Sequence, residues 1–265
     1  MRRILLLIVP AVLLLLLILL NRTTADWRHP IFEAAPGEPL YVATFSGNPE
    51  EDFNRDWDQF GGRLSSVIAD GALHIRLDDL EAGTFSSAAP TFRDFEITVE
   101  AKATEGPEDN GFGIVFRLQD HDNGSPADDS YYLFLISSDG YYQVSRVVRG
   151  VSAEISTWID SSVIHTGIGA ENTLRVRAQG PEFSFFINGE QMPLCLSNNP
   201  EGVSTYYAGE CVDGSMVDTL RDDGIAYGRI GVGARSFMSD SGVVVAFDNV
   251  VVLSPSADGQ PGQGT

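Results

Sequence analysis

Basic side chains are scarce in this chain, and nearly all of them are arginine. Lys102 is its one lysine, and the 17 basic residues face 37 acidic ones, for a formal net charge of −20. Proteins that bind nucleic acids neutralise phosphates with clusters of Lys and Arg, so this balance excludes nucleic acid as a partner. It also leaves no polybasic segment that could hold the chain on anionic lipid.

Histidines and familiar catalytic motifs are few as well. The four histidines are scattered along the chain. No Gly-x-Ser-x-Gly, His-Glu-x-x-His or Ser/His/Asp spacing is present. These absences argue against an enzyme that uses a nucleophilic serine or a histidine-bound metal, without excluding enzymes of other kinds.

The two cysteines, Cys195 and Cys211, are an even pair that lies close together in sequence. In an exported protein such a pair predicts a disulfide. The bridge would close a loop of about 15 residues, which stabilises a fold by about 3 kcal/mol in the chain-entropy model.

One long uncharged run stands at the amino terminus. Residues 1–3 include two arginines, and residues 4–20 (ILLLIVPAVLLLLLILL) contain no charge. A helix of this length spans about 25 Å, near the short end of what crosses a bilayer. The arginines favour a cytoplasmic amino terminus. We therefore predict a single-pass signal anchor in the cell membrane, with the bulk of the chain extracytoplasmic. A cleaved signal peptide with a poor cleavage site at residues 23–25 is the alternative.

Helical periodicity is absent from the rest of the chain, where short segments alternate apolar and polar residues. DFEITVEA (residues 94–101) and ALHIRL (residues 72–77) are examples, and Gly, Asp and Asn turns separate such segments. About a dozen of them predict an all-β fold, a two-sheet antiparallel β-sandwich (jelly roll), over residues 39–254. A linker (21–38) would precede it, and a low-complexity tail (255–265), expected to be disordered, would follow.

One connection is unusually long for a compact sandwich. Residues 196–224 separate two strand-like segments, and connections of this length are usually functional or insertions. We expect the disulfide to tether the first half of this excursion to the strand end at Cys195.

The stretch YYLFLISSDGYYQVSRV, residues 131–147, predicts a hairpin with a choice of register. A three-residue turn at residues 138–140 places Tyr132 on the face of Tyr142 and Arg146. A two-residue turn would place Tyr132 with Tyr141 instead. We choose the three-residue turn. Both faces then carry apolar bulk, which is typical of central strands that are covered on both sides.

The later segments follow a recognisable order from GFGIVFR (residues 111–117) to VAFDNVVV (residues 245–252). Asn172-x-Leu174-x-Val176-x-x-x-Gly180, followed by Ile187-Asn188-Gly189, is the most distinctive piece. The pattern resembles the concanavalin A-like lectin/glucanase sandwich. It is most similar to the laminin-G-like and 3-keto-disaccharide-hydrolase-like domains of bacterial surface proteins. The resemblance implies two packed antiparallel sheets, one concave, with ligands on the concave face or along its rim.

Laminarinase-like glycosidases of this fold carry Glu, Asp and Glu on alternate positions of one strand, as a nucleophile and an acid/base. The nearest string here is Glu96-Ile97-Thr98-Val99-Glu100, which has threonine at the middle position. The solvent face of an amphipathic strand, where Glu and Thr are expected, is the favoured explanation of this string. The chain thus has no complete glycosidase carboxylate motif.

An acidic loop between two predicted strands, residues 119–130, is a candidate calcium site. Oxygen ligands on a flexible loop suit Ca²⁺, and terminal strands of related sandwiches often supply a further ligand. A solvated acidic turn is the alternative. The candidate ligands of one structural Ca²⁺ are Asp120, Asp122, Asn123, Asp128 and Asp248.

Charged and aromatic side chains within apolar strands are candidates for binding a sugar. Aromatic rings stack on the C–H faces of sugars, and arginines donate paired hydrogen bonds. An arginine within an apolar strand needs a partner or a wet cleft. Core packing or a salt bridge would be the structural explanation. The candidates are Arg117, Tyr132, Tyr142, Arg146 and Trp158.

Three functions fit these observations. The first is a membrane-anchored extracytoplasmic binding module that recognises carbohydrate or a cell-envelope polymer on its concave face. The second is a glycoside hydrolase or a keto-sugar-cleaving enzyme of the same fold. The third is a structural or assembly protein of the cell surface that binds another surface protein. Because one fold hosts all three, only the site can decide among them.

Overall fold

The structure of the protein is a computed structural model. It describes residues 30–47, 56–79, 81–120, 128–199, 202–237 and 242–256. Within these ranges, no helix has the length and apolar character to cross a membrane. The predicted signal anchor (4–20) lies outside the described residues, as does most of the predicted tail.

The described chain consists of β-strands joined by turns. Their bounds are β1 (Ile31–Phe32), β2 (Pro39–Ala43), β3 (Leu64–Ala69), β4 (Ala72–Leu77), β5 (Gly83–Phe92), β6 (Phe95–Glu105), β7 (Gly111–Gln119), β8 (Ser130–Ser137), β9 (Tyr141–Val148), β10 (Val151–Asp160), β11 (Asn172–Gln179), β12 (Glu182–Ile187), β13 (Glu190–Gln191), β14 (Leu194–Ser197), β15 (Thr205–Tyr207), β16 (Glu210–Val212), β17 (Gly214–Val217), β18 (Leu220–Arg221), β19 (Gly228–Arg235) and β20 (Val243–Leu253).

Most strands belong to two large sheets, as the alternating sequence predicts. The first sheet has the order β1-β5-β19-β7-β8-β9-β10-β14-β17, and the second has the order β13-β12-β11-β6-β20-β4-β3. Strands β2 and β18 pair with β20 and β12 of the second sheet. The two sheets share one hydrophobic core, to which Phe134 of β8 and Phe185 of β12 both contribute. The predicted two-sheet antiparallel sandwich is therefore confirmed.

The β8–β9 hairpin has the predicted register. Tyr132 pairs with Arg146, and Ile136 pairs with Tyr142, which leaves a turn at residues 138–140. Gly140 has a φ of 100°, a conformation that glycine adopts without a steric penalty. The choice of the three-residue turn is confirmed.

The most distinctive part of the family resemblance also forms as expected. Strands β11 and β12 make an antiparallel hairpin, and Asn188 and Gly189 turn the chain into β13 with positive φ values. The Asn188 side chain bonds to Thr173, Val163 and Asn172, so it fastens the turn to the rest of the sheet.

The excursion of residues 196–224 contains strands of its own. Strands β15 and β16 form a separate two-stranded sheet, and β17 pairs with β14 at the edge of the first sheet. The predicted disulfide between Cys195 and Cys211 is present. The disulfide ties the small hairpin to β14.

Candidate functional site

An open groove of about 910 Å³ lies on the face of the first sheet that points away from the core. Tyr132, Phe134 and Ile136 of β8 point into the core and are fully buried. Their neighbours in sequence therefore point outward. The groove extends from β5 to β10, so the outward face is concave. The residues that form its apolar and aromatic floor are Phe60, Phe85, Tyr131, Leu133, Leu135 and Val147.

Glycines on two neighbouring strands, β7 and β19, deepen the groove. Gly113 of β7 and Gly233 of β19 are direct partners, so neither strand places a side chain at that point. A Cβ atom on Gly113 would overlap the backbone carbonyl oxygen of Phe134. The floor between Phe85 and Leu135 is therefore bare backbone.

Three carboxylates line the groove, and one arginine connects two of them. Arg229 Nη2 lies 2.8 Å from Asp58 Oδ2, and its Nη1 lies 3.6 Å from Asp120 Oδ2. The Ser87 hydroxyl donates to Asp58 Oδ2 at 2.6 Å. The third carboxylate, Asp129, is only 7% exposed. Carboxylate oxygens accept hydrogen bonds, so these three side chains can bond to the hydroxyls of a ligand.

Tyr131 stands beside the buried carboxylate. Its ring meets Phe85 edge to face, with centroids 5.2 Å apart. Burial raises the pKa of the Tyr131 hydroxyl, and the charge of Asp129 raises it further, against the opposing effect of Arg235. Tyr131 is therefore protonated at neutral pH and can donate a hydrogen bond into the groove.

A smaller pocket of about 320 Å³ continues the same face toward the β8–β9 turn. Trp158 of β10 forms one wall, and Phe237 meets it edge to face with centroids 6.0 Å apart. Asp139 accepts a hydrogen bond from the Ser137 hydroxyl. We name this cavity the Trp158 pocket. Its lining residues are Asp109, Ser137, Asp139, Tyr141, Trp158 and Phe237.

Residues 41–207 match the family described as the 3-keto-alpha-glucoside-1,2-lyase-like domain. The chain belongs to this family. The match covers well over half of the chain and confirms the resemblance that the sequence indicated. No curated protein is a significant sequence match.

Solved structures similar to this lyase-like domain share its sandwich fold. A Bacillus subtilis protein of unknown function with a galectin-like fold has 13% identity and a TM-score of 0.56, covering 84% of this chain and 98% of its own. The carbohydrate-binding module CBM66 from Bacillus subtilis has 14% identity and a TM-score of 0.50, covering 75% and 96%. The Crh5 transglycosylase in its apo form has 12% identity and a TM-score of 0.50, covering 86% and 90%. At these identities the likeness concerns the fold alone.

Of the five residues that the sequence proposed for sugar binding in this domain, Trp158 lies on the concave face. Arg117, Tyr132 and Tyr142 are at most 2% exposed; the two tyrosines lie within the core, and Arg117 is buried at the end of the sandwich. The Tyr142 hydroxyl donates to the Pro193 carbonyl at 2.6 Å. The structure corrects the expected placement of these three side chains, because the face chosen for the platform packs against the second sheet.

The buried Arg117 side chain has a structural role. Its guanidinium donates to the carbonyl oxygens of Ile225 at 2.8 Å, Arg93 at 3.0 Å and Gly180 at 2.6 Å. It also lies 4.7 Å above the ring centre of Phe183. The side chain therefore joins three connecting segments across the end of the sandwich and does not face the groove.

The Arg146 side chain, which is 32% exposed, is paired with a carboxylate of the excursion. It contacts both carboxylate oxygens of Asp222, at 2.9 and 2.6 Å, and the Tyr132 hydroxyl donates to the same carboxylate at 2.6 Å. These three residues pin the end of the excursion to the β8–β9 hairpin. The structure thus places Arg146 in a salt bridge, the structural explanation considered above.

The structure describes three of the five candidate calcium ligands. Asp122 and Asn123 lie outside the described residues. Asp120 pairs with Arg229 in the first sheet, whereas Asp248 lies on β20 of the second sheet. In the ranges that the structure describes, no group of three or more His, Cys, Asp or Glu residues could hold a metal ion. Calcium binding, including the role of Asp128, stays a prediction.

The glycosidase-like string of β6 lies in the second sheet, remote from the groove lining. Glu96 is buried and pairs with Arg175 at 3.2 Å, and Glu100 accepts a hydrogen bond from Asn249. Both carboxylates thus have structural partners, although Glu96 is buried and does not lie on the open solvent face that the amphipathic pattern predicted.

Sequence reasoning missed most of the groove, including Phe85, Tyr131 and Asp129. A usable signal was present in the alternating glycines of GFG (residues 111–113) and GVG (residues 231–233), which interrupt two apolar strands. Glycine in the interior of a strand often marks a close approach of a ligand or of another backbone. Two neighbouring strands of this kind indicate a part of the sheet face where no side chains cover the backbone.

Proposed function

We propose that the domain binds a carbohydrate in the concave groove of the first sheet. The observation that carries this proposal is an apolar, aromatic floor bordered by fixed carboxylates. A sugar ring has apolar C–H faces and a rim of hydroxyls, so it can cover Phe85 and Tyr131 while its hydroxyls bond to Asp58 and Asp129. Membership of a family described by a glucoside substrate supports the same class of ligand.

The binding test uses the full chain in a polyoxyethylene detergent, because detergents with sugar head groups would compete. We expect trehalose, maltose or laminaribiose to bind in isothermal titration calorimetry. Replacing Phe85 with alanine should weaken binding by about tenfold or more, since it removes a stacking ring. Tyr131→Phe keeps the ring and should lose only the hydrogen bond.

Tyr207→Ala is the matched control, because Tyr207 is an exposed aromatic residue of the excursion and does not line the groove. Absence of binding by the whole sugar panel would refute the proposal, and so would an equal loss in the Phe85 and Tyr207 variants. Thermal melts of each variant separate a lost contact from a lost fold.

We further propose that the uncharged run of residues 4–20 anchors this domain in the membrane and leaves it outside the cytoplasm. The disulfide supports an oxidising compartment. The full chain should resist carbonate extraction from membranes, and protease added to spheroplasts should degrade it. Release into the supernatant at a reduced mass would indicate a cleaved signal peptide instead.

A second candidate function is cleavage of a keto-sugar, which the buried Asp129 in the groove favours. A ketone at C3 of a glucoside acidifies the C2 hydrogen. A base can then take this proton, a C1–C2 double bond forms, and the C1–O bond breaks as the leaving group departs. Asp129 is the candidate base. Tyr131, which stays protonated, is the candidate donor to the leaving oxygen.

The test of this chemistry supplies 3-ketotrehalose and follows glucose release and the unsaturated product by mass spectrometry. Asp129→Asn should abolish both products, whereas Asp139→Asn, in the Trp158 pocket, should retain them. Sugar binding without any product would leave the domain as a binding module.

A further inference from the structure

The groove and the Trp158 pocket are lined by the same row of residues on β8. Tyr131, Leu133 and Leu135 point outward and line the groove. The next outward residue, Ser137, lines the Trp158 pocket. From Tyr131 to Ser137 the row extends for roughly 20 Å along the strand. The two cavities therefore lie end to end on one strand.

A second row of residues, along β19, also lines first the groove and then the Trp158 pocket. Gly233 and Arg235 line the groove, and Phe237, which follows the strand, lines the Trp158 pocket. Arg235 packs over the Phe237 ring at 5.2 Å from its centre. The Arg235 side chain thus lines the groove, contacts Phe237 of the Trp158 pocket and forms the boundary between the two cavities.

The floor at this boundary is a glycine. Gly111 of β7 pairs with both Arg235 and Ser137, so it lies at the level where the two rows pass from one cavity to the other. A Cβ atom there would lie 3.2 Å from Leu135 Cδ1 and 3.3 Å from Trp158 Cη2. Leu135 of the groove and Trp158 of the pocket therefore meet over Gly111, and Gly111 itself adds no side chain to separate the two cavities.

The charge of the combined surface selects among glycans. Of the described residues that line either cavity, Arg235 is the single basic one, and the acids are Asp58, Asp109, Asp120, Asp129 and Asp139. Carboxylates accept hydrogen bonds from sugar hydroxyls but repel uronate, sulfate and phosphate groups. The whole chain, with a net charge of −20, adds to that repulsion.

We propose that the ligand is a neutral oligosaccharide longer than a disaccharide, which occupies the groove and stacks a further sugar ring on Trp158. This inference rests on the proposed carbohydrate binding. It identifies the Trp158 pocket as the subsite that recognises chain length, whereas the groove recognises the first units. The ring of Trp158 supplies the large apolar face that the neighbouring carboxylates lack.

The experiment titrates the full chain with two neutral series, maltose to maltohexaose and laminaribiose to laminarihexaose, in a detergent without a sugar head group. The affinity for one series should rise with length by about tenfold once the chain reaches the Trp158 pocket. Trp158→Ala should abolish this rise and keep the affinity for the disaccharide. Phe85→Ala should weaken every member of the series, and Tyr207→Ala should change none.

The outcomes separate this inference from the proposed function. An unchanged length dependence in Trp158→Ala, together with weak binding by Phe85→Ala, refutes the subsite and keeps the carbohydrate groove. If neither series binds, the subsite is refuted. If trehalose, maltose and laminaribiose also fail to bind, the carbohydrate groove is refuted as well. Tighter binding of oligogalacturonates than of the neutral chains would overturn the charge argument. Trp158→Phe, which keeps a ring, should restore part of the length dependence if stacking is the cause.

Discussion

At the scale of single residues, Asp222 holds more of the structure together than its position in a long excursion indicates. It accepts hydrogen bonds from the Tyr132 hydroxyl, the Gly224 amide and the Arg146 guanidinium. Burial alone would raise the pKa of Asp222, but these donors outweigh it and lower the pKa below the ordinary value of 3.8. The ionised carboxylate is thus the form that the fold stabilises.

Replacing Asp222 with asparagine should destabilise the protein by roughly 2 kcal/mol at neutral pH, because Arg146 loses its charged partner in a half-buried site. A group with a lowered pKa in the folded state stabilises the fold above its unfolded pKa. That contribution is lost as the pH falls through the folded value. The difference between wild type and variant should therefore shrink as the pH drops below about 4, which urea unfolding at several pH values measures. A difference that is constant with pH would contradict this assignment.

The close approach of Gly113 to the backbone of Phe134 can be tested by substitution. Gly113→Ala should cost about 2 kcal/mol or more, because the added methyl group overlaps the Phe134 backbone, which cannot rotate away. Gly61→Ala is the matched control, since a Cβ atom there has no neighbour within 4 Å. Equal urea midpoints for the two variants would show that the strands are further apart than the structure places them.

At the scale of secondary-structure elements, β8 departs from the usual pattern of a strand with one solvent face. Phe134 and Ile136 point into the core, yet the outward residues Leu133 and Leu135 are apolar too. An antiparallel strand with an open face normally alternates apolar and polar residues. Leu133 and Leu135 instead line the groove, so β8 supplies much of its apolar surface.

The excursion is the element whose stability depends on a covalent link. The disulfide joins residues 16 apart in sequence. Removing it with the double substitution Cys195→Ala/Cys211→Ala should cost about 3 kcal/mol. Chemical denaturation should show this loss, and reduction of the wild-type protein should reproduce it. Binding in the groove should be unchanged, because neither cysteine lines it. A parallel loss of sugar affinity would show that the excursion supports the groove.

At the scale of the whole molecule, charge limits what can approach the concave face. For a neutral oligosaccharide, affinity should be the same at low and high salt, because no ion pair forms on binding. For oligogalacturonate, binding should be weak and should strengthen with salt as the repulsion is screened. Titration calorimetry over a range of salt concentrations checks both. If the affinity for the neutral oligosaccharide fell steeply with salt, this would contradict the proposed binding without ion pairs.

Local patterns along the chain were sufficient to predict several features of the fold. Period-2 alternation predicted the strands and the two-sheet sandwich, Ser138-Asp139-Gly140 predicted the hairpin register, and the cysteine pair predicted the bridge. Each rests on residues near one another in the chain, where backbone geometry and turn chemistry leave few choices.

Which face of the β8–β9 hairpin belongs to the core depends on how the two sheets pack. Tyr131 and Tyr132 are adjacent and equally aromatic. The alternation of side chains along a strand places them on opposite faces of the sheet, but it does not indicate which face is buried. The second sheet buries the face of Tyr132 and leaves that of Tyr131 to the groove. The groove itself joins Phe85, Tyr131 and Arg235 from distant parts of the sequence. Their proximity arises from strand order, which no local pattern encodes.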